Sequence, residues 1–198
     1  MTRLVIATSN RGKIAEIEDL VCGMGFAVIG LSDLPARVDI VEDADNFEGN
    51  ARKKAIAVAR AAGCPALSDD SGLCVDALDG RPGVHSARYG GPGLTDGDRN
   101  RRLLEELTGV NEDRRTAAFH CAIAFSQPDG DIRTFNGILR GRISFSPRGD
   151  SGFGYDPVFI PNGFDCTLAE LGMDVKQRIS HRAAALSQFA QWIRTPGT

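Results

Sequence analysis

The sequence predicts an α/β fold whose sheet is at least partly parallel, and three features near its start predict it. Leu4-Val-Ile-Ala7 is a short apolar run ending in Thr8-Ser-Asn10, as expected of a buried strand running into a helix start. Ile14, Ile17, Leu20, Val21 and Met24 recur at helical spacing, with Gly23 and Gly25 stopping the pattern. Phe26-Ala-Val-Ile29 reads as a second strand and completes a β-α-β unit.

The rest of the chain extends this alternation. Phe47, Ala51, Ala55, Val58 and Ala62 mark an amphipathic helix over 47–62 that ends at Gly63. At about 100° per residue, Lys54 falls on the border of its apolar face and Lys53 points the opposite way. Pro65-Ala-Leu-Ser68 reads as a short strand leading into Asp69-Asp70-Ser71-Gly72. Seven glycines and prolines in 79–93 predict a loop, and 98–108 predicts a helix. Ala117 to Phe125 and Ile132 to Phe145 are β-rich runs joined by the hairpin signal Gln127-Pro-Asp-Gly-Asp131. A glycine-rich loop from Gly149 to Pro157 precedes Val158-Phe-Ile160, and Leu186, Phe189, Ala190 and Ile193 outline a last helix. There is no internal repeat, low-complexity linker or domain boundary, so residues 1–198 read as a single domain.

Composition narrows the function. With 198 residues, 42% of them hydrophobic, the chain can bury a core without disulfides or structural metal. A net charge of −3 argues against a broad nucleic-acid footprint but leaves room for a small phosphate-bearing ligand. The five cysteines (Cys22, Cys64, Cys74, Cys121, Cys166) are odd in number, scattered and without a Cys-x-x-Cys pair, and the three histidines are far apart. That pattern predicts reduced thiols, neither a disulfide framework nor a zinc site. No apolar run has signal-peptide or transmembrane length, so a soluble cytoplasmic protein with no membrane partner is expected.

Five segments hold side chains suited to chemistry. Thr8-Ser9-Asn10-Arg11-Gly12-Lys13 combines hydroxyls, an amide and a compact positive charge at a strand-to-helix junction, where free N–H groups favour phosphate. It lacks the glycine and hydroxyl spacing of a Walker loop, and by itself the segment reads first as an ordinary helix cap with a solvated lysine. Asp69 and Asp70 are adjacent carboxylates that repel unless a cation sits near, which a divalent metal supplies; Asp-Asp-Ser-Gly is also good turn chemistry. The acidic stretch Asp39 to Asp45 holds candidates for a second metal ligand, or simply favours the dipole of the helix behind it. In Gly152-Phe153-Gly154-Tyr155-Asp156-Pro157 the glycines allow close backbone approach to a flat ligand and the aromatics allow stacking, or plug the core. Ser180 suits an N-cap, placing His181 and Arg182 in a first helical turn, where positive charge opposes the dipole unless it has a task.

Taken in order, Thr8-x-Asn10-x-x-Lys13, Phe47-x-x-Asn50-Ala51-x-x-Lys54, Asp69-Asp-Ser-Gly-Leu73, Gly83-x-x-Ser86-Ala-Arg-Tyr89, Gly152-Phe-Gly-Tyr-Asp-Pro157 and Ser180-His-Arg182 closely resemble the inosine triphosphate pyrophosphatase family, the dITP/XTP pyrophosphatases. The resemblance runs from residue 3 to about residue 193. It implies two lobes around a central mixed sheet flanked by helices, a nucleotide cleft between the lobes, a homodimer, and Mg2+-dependent cleavage of ITP, dITP and XTP between the α- and β-phosphates. It further implies that Thr8 to Lys13 and Lys54 hold the triphosphate. Asp70 would be general base and, with Glu42, a magnesium ligand. Ser71 and Phe153 to Asp156 would contact the nucleotide, and Lys176, His181 and Arg182 would read the 6-oxo purine edge. The chain departs from the family pattern at Asn46, where threonine is usual, and has Asp43 beside Glu42. A dinucleotide-dependent oxidoreductase fits poorly, because no Gly-x-Gly-x-x-Gly follows the first strand.

Overall fold

The opening apolar run becomes a strand, β1 (Thr2–Ile6), in a computed structural model that describes residues 2–21, 23–35 and 37–195. The Cys22 reading lies outside the described residues; Cys64, Cys74, Cys121 and Cys166 are free thiols. Helix α1 (Arg11–Val21) follows, then β2 (Phe26–Gly30), which pairs parallel with β1 as the β-α-β reading expects. Helix α2 (Phe47–Ala62) has the bounds that the apolar spacing predicts. Asn46 caps it by accepting the Gly49 N–H at 2.7 Å, and Gly63 ends it at φ 61°. The family threonine is thus replaced by another good capping residue.

Strand β3 (Ala66–Val75) departs most from expectation, for it continues through Asp69-Asp70-Ser71-Gly72 for ten residues. Those residues are not a turn beyond a strand end. Turn propensity is a local preference, and here the partners of a sheet strand and of a buried carboxylate override it. Helix α3 (Asp96–Glu106) is preceded by a six-residue 3-10 helix, Gly83–Arg88, inside the stretch expected to be irregular. Strands β4 (Thr116–Ser126) and β5 (Ile132–Ile143) follow, their connection closed by the Gln127 N–H donating to Asp131 O at 2.8 Å. Short β6 (Phe159–Pro161) pairs antiparallel with β5. Helices α4 (Leu168–Leu171) and α5 (Met173–Ile179) are too short for a periodic signal, and α6 (His181–Ile193) is the expected last helix.

The six strands form one mixed sheet in the order β2-β1-β3-β4-β5-β6, parallel at β2-β1-β3 and antiparallel at β5-β6. The chain divides into two compact units. Unit 1 comprises residues up to Asp70, Cys121–Gly137 and the segment from Arg182; unit 2 comprises Ser71–His120 and Ile138–His181. In unit 1, β1 is buried on both sides. Leu4 and Ile6 pack with Ile17, Leu186 and Phe189, while Val5 and Ala7 pack with Val58 and Ala59. This alternation is why β1 reads as an unbroken apolar run. Unit 2 has its own core, in which Leu73, Leu103, Leu107, Phe119, Phe159 and Leu168 meet. Among the described residues, no helix is long and apolar enough to cross a membrane.

Candidate active site

Adjacent carboxylates on β3 organise the candidate residues of unit 1. Successive strand residues face opposite ways, so Asp69 and Asp70 enter different surroundings. Asp69 is fully buried, and Arg182 donates to it from Nε at 2.8 Å and from Nη2 at 3.4 Å. Lys13 Nζ pairs with Oδ1, and the Cys121 thiol donates to Oδ2 at 3.1 Å. Burial works to raise the Asp69 pKa, but the Arg182 and Lys13 charges outweigh it and hold the carboxyl well below the usual range. The same burial, with the Asp69 charge beside it, pushes the Cys121 thiol well up, so it stays protonated.

Asp70 keeps 15% of its side chain exposed and faces α2. Lys54 Nζ lies 3.7 Å from Asp70 Oδ1 and forms a close ion pair with Glu42. Burial, helped by Glu42 and Asp69 and opposed by Lys54 and Lys13, pushes Asp70 up to about 6. Lys54 is buried while Lys53 is exposed and pairs with Asp43 at 2.5 Å, as their positions around the helix require. The acidic stretch is thereby sorted, with Glu42 turned towards the Lys54–Asp70 pair and Asp43 towards the surface.

Asn50, which the site assignment left out, holds this cluster in place. Its Oδ1 accepts from Ala44 N at 2.9 Å, and its Nδ2 donates to Ala44 O at 3.3 Å and to Asp70 Oδ2 at 3.4 Å. An asparagine four residues before Lys54, on the same helical face, was the available signal. Gly49 lets the acidic segment close on α2, since a Cβ there would meet Ala44 Cβ at 2.7 Å.

The Thr8 to Lys13 segment forms the expected helix cap. Asn10 Oδ1 accepts the Lys13 N–H at 3.1 Å, and Thr8 Oγ1 accepts the Asn10 N–H at 3.2 Å, so the segment is a capped helix start. The Lys13 side chain nevertheless leaves solvent for Asp69. Thr8 is buried, whereas Ser9, Asn10 and Arg11 are exposed and Gly12 is half-buried.

Unit 2 gathers the other candidates. Lys176 Nζ donates to Asp156 Oδ2 at 2.5 Å, both groups being buried, and lies 4.1 Å from the centre of the Phe153 ring. Asp156 Oδ2 also accepts the Phe153 N–H at 2.9 Å, and Gly152 leaves room for that carboxylate. Tyr155 is buried and donates to Ser86 O at 2.9 Å. His181 lies flat on Phe119, ring centres 4.8 Å apart and 7° from parallel. Ser71 follows Asp70 in β3 and is half-buried.

Arg182 has carboxylate partners within the chain. The family resemblance implies that it reads a purine edge beside Lys176 and His181. Its side chain is buried to 1% within unit 1, where it binds Asp69 and also Glu16. Glu16 and Asp69 are the partners that answer Arg182's unfavourable charge at a helix start. Among the described residues, no three His, Cys, Asp or Glu side chains cluster as a ready metal site.

The model of the Ham1 family matches residues 4–192. The chain is 50% identical over 187 residues to a dITP/XTP pyrophosphatase of Geobacter sulfurreducens, covering 94% of each. It is 44% identical over 191 residues to that of Bacillus subtilis, covering 96% of each. Its structure resembles a HAM1 protein from Coxiella burnetii (TM-score 0.89, 38% identity, 98% of both chains). It also resembles the Ham1 protein of Staphylococcus aureus (TM-score 0.87, 38% identity, 96% of this chain and 97% of that one). The resemblance carried by six ordered motifs is borne out, and this chain belongs to the Ham1 family.

Proposed function

We propose that this protein is a magnesium-dependent pyrophosphatase that hydrolyses ITP, dITP and XTP to the nucleoside monophosphate and pyrophosphate, keeping these nucleotides out of DNA and RNA. The observation that carries the reading is the Asp70–Lys54–Glu42 cluster, with one carboxyl pushed up to about 6. A carboxylate tuned towards neutrality can orient a water and accept its proton, which is the work of a general base. Relatives named dITP/XTP pyrophosphatases support the substrate class.

The donor set fits Mg2+. Glu42 and Asp70 converge on one positive charge, the Lys54 ammonium, and offer the hard oxygens this ion takes alongside water and phosphate. Asp69 is committed to Arg182 and Lys13, so Glu42 and Asp70 are the ligands proposed. Bound there, magnesium would neutralise charge on the phosphate oxygens as pyrophosphate departs.

The remaining work falls to the chain itself. Lys13, Lys54 and the Thr8, Ser9, Asn10, Arg11 and Gly12 segment hold phosphates electrostatically. Ser71 and the loop Phe153, Gly154, Tyr155 and Asp156 contact the nucleoside. Lys176 and His181 donate towards a 6-oxo group, which disfavours the 6-amino group of adenine. Arg182 acts through Asp69, which it anchors. The family resemblance further supports a cytoplasmic homodimer, which sedimentation of the purified protein tests.

The deciding experiment is incubation with Mg2+ and ITP, XTP, GTP, ATP or dTTP, with the products identified. Pyrophosphate with IMP and XMP is expected, with little product from the ordinary nucleotides and none after chelation. Orthophosphate and diphosphates would refute cleavage between the α- and β-phosphates. Tight binding without cleavage would make the protein a nucleotide sensor.

A further inference from the structure

We infer that Asp96 and Asn100 of α3 are positioning residues that set the conformation of the nucleotide-contacting loop Phe153–Asp156 by gripping the Gly154 peptide units. The inference rests on the proposal that this loop touches the nucleotide, and it adds two residues that none of the six motifs contains.

The grip is two-sided. The Gly154 N–H donates to Asp96 Oδ2 at 2.8 Å, and Asn100 Nδ2 donates to Gly154 O at 3.0 Å. The two side chains are four residues apart, hence one turn apart on a single helical face. Loop backbone outside strands and helices must find hydrogen-bond partners elsewhere, and here α3 supplies both for one residue. Gly154 sits at φ 63°, a left-handed conformation that glycine adopts readily and that external bonds can select from the others open to it.

The helix is a firm anchor. Thr95 and Asp98 form a reciprocal capping box at its start, and Leu103 is fully buried in the core of unit 2. Asn100 is buried to 3% inside the helix, where asparagine is not favoured by propensity. Its Oδ1 is buried without a hydrogen-bond partner among the described residues, so the Nδ2 contact with Gly154 is what accounts for this amide. Only an N–H can face the Gly154 carbonyl, which fixes the orientation of the amide.

The far side of the loop is tied separately. Asp156 accepts the Phe153 N–H and the Lys176 ammonium, and Tyr155 donates to Ser86 O. Gly154 therefore lies between two fixed residues, and its peptide orientation determines how Phe153 is presented over Lys176. Neither Asp96 nor Asn100 is placed against substrate; both act through the backbone.

The test uses the full-length protein with Asp96→Ala, Asn100→Asp and Asp96→Asn. Asn100→Asp keeps the shape but sets a carboxylate oxygen against the Gly154 carbonyl. Asp96→Asn still offers an acceptor oxygen and serves as the conservative rescue. Amide exchange at residues 152–156 is measured beside KM and kcat for dITP with Mg2+. In Asp96→Ala and Asn100→Asp, exchange in the loop and KM should each rise about tenfold, the loss of one hydrogen bond, with kcat changed less than about threefold. Asp96→Asn should restore both values to within about twofold of wild type, since the acceptor remains. Unchanged loop exchange in both variants would overturn the grip itself. Faster loop exchange with unchanged KM would overturn the loop's place at the nucleotide, and the positioning role with it. Protection lost throughout α3 and β3 would reveal a merely structural role and would also overturn the inference.

Discussion

Asp69 and Asp70 are chemically identical neighbours on β3, yet the protein treats them in opposite ways. Asp69 is sealed from solvent and bonded to two cationic side chains, and its carboxyl is held well below the usual range. Asp70 keeps an exposed edge, shares a lysine with Glu42, and is pushed up to about 6. The difference follows from the alternation of a strand, which sends one side chain to Arg182 and the next to α2. A saturated buried charge holds the structure together, while an under-compensated one is available for chemistry.

Removing each charge in turn sharpens the contrast most. Asp70→Asn should lower kcat for dITP by about a thousandfold, the scale of a lost general base, without lowering stability. Equal activity, or a clear drop in melting temperature, would reverse the role given to Asp70. Asp69→Asn should instead destabilise by about 3–5 kcal/mol in urea unfolding, because it leaves buried Arg182 short of a carboxylate. A stable Asp69→Asn protein would mean that the ion-pair knot is dispensable.

The two carboxyls should also respond to pH with opposite signs. Stability from Asp69, whose folded pKa is depressed, is complete above the ordinary carboxylate pKa and is lost as pH falls through its lower folded value. Stability from Asp70, whose folded pKa is raised, is complete at low pH and is lost as pH rises through about 6. In metal-free protein, the unfolding free energy of wild type relative to Asp70→Asn should fall by about 2 kcal/mol between about pH 4 and about pH 7. A flat difference would contradict the raised carboxyl.

A smaller effect separates the two acidic neighbours on the preceding segment. Glu42→Gln should raise the Mg2+ concentration for half-maximal rate by about tenfold, the size of a weakened metal site. Asp43→Asn should leave it within about twofold, since Asp43 pairs with exposed Lys53 and exposed pairs contribute little. The reverse order would transfer the metal to Asp43.

Local signals made much of this protein legible in its sequence. The apolar periods of β1, α1, β2 and α2 are visible because each element buries a regular stripe. The inward turn of Lys54 and outward turn of Lys53 follow from helical geometry alone. The Thr8 to Lys13 cap and the glycine-flanked Phe153 loop were readable because caps and tight turns demand particular residue types at fixed positions.

What only the tertiary structure decided depends on partners distant in the chain. Asp-Asp-Ser-Gly reads as a turn by local preference, but Arg182, 113 residues from Asp69, and Lys13 compensate a buried carboxylate within a strand. Nothing in the local sequence at Arg182 announces Glu16 and Asp69 as its partners, which only the fold brings around it. The hold of Asp96 and Asn100 on Gly154 spans more than fifty residues and has no periodic trace. Short-range geometry is written into side-chain spacing, whereas which charge is satisfied and which is left reactive depends on desolvation and on partners that only the folded chain assembles.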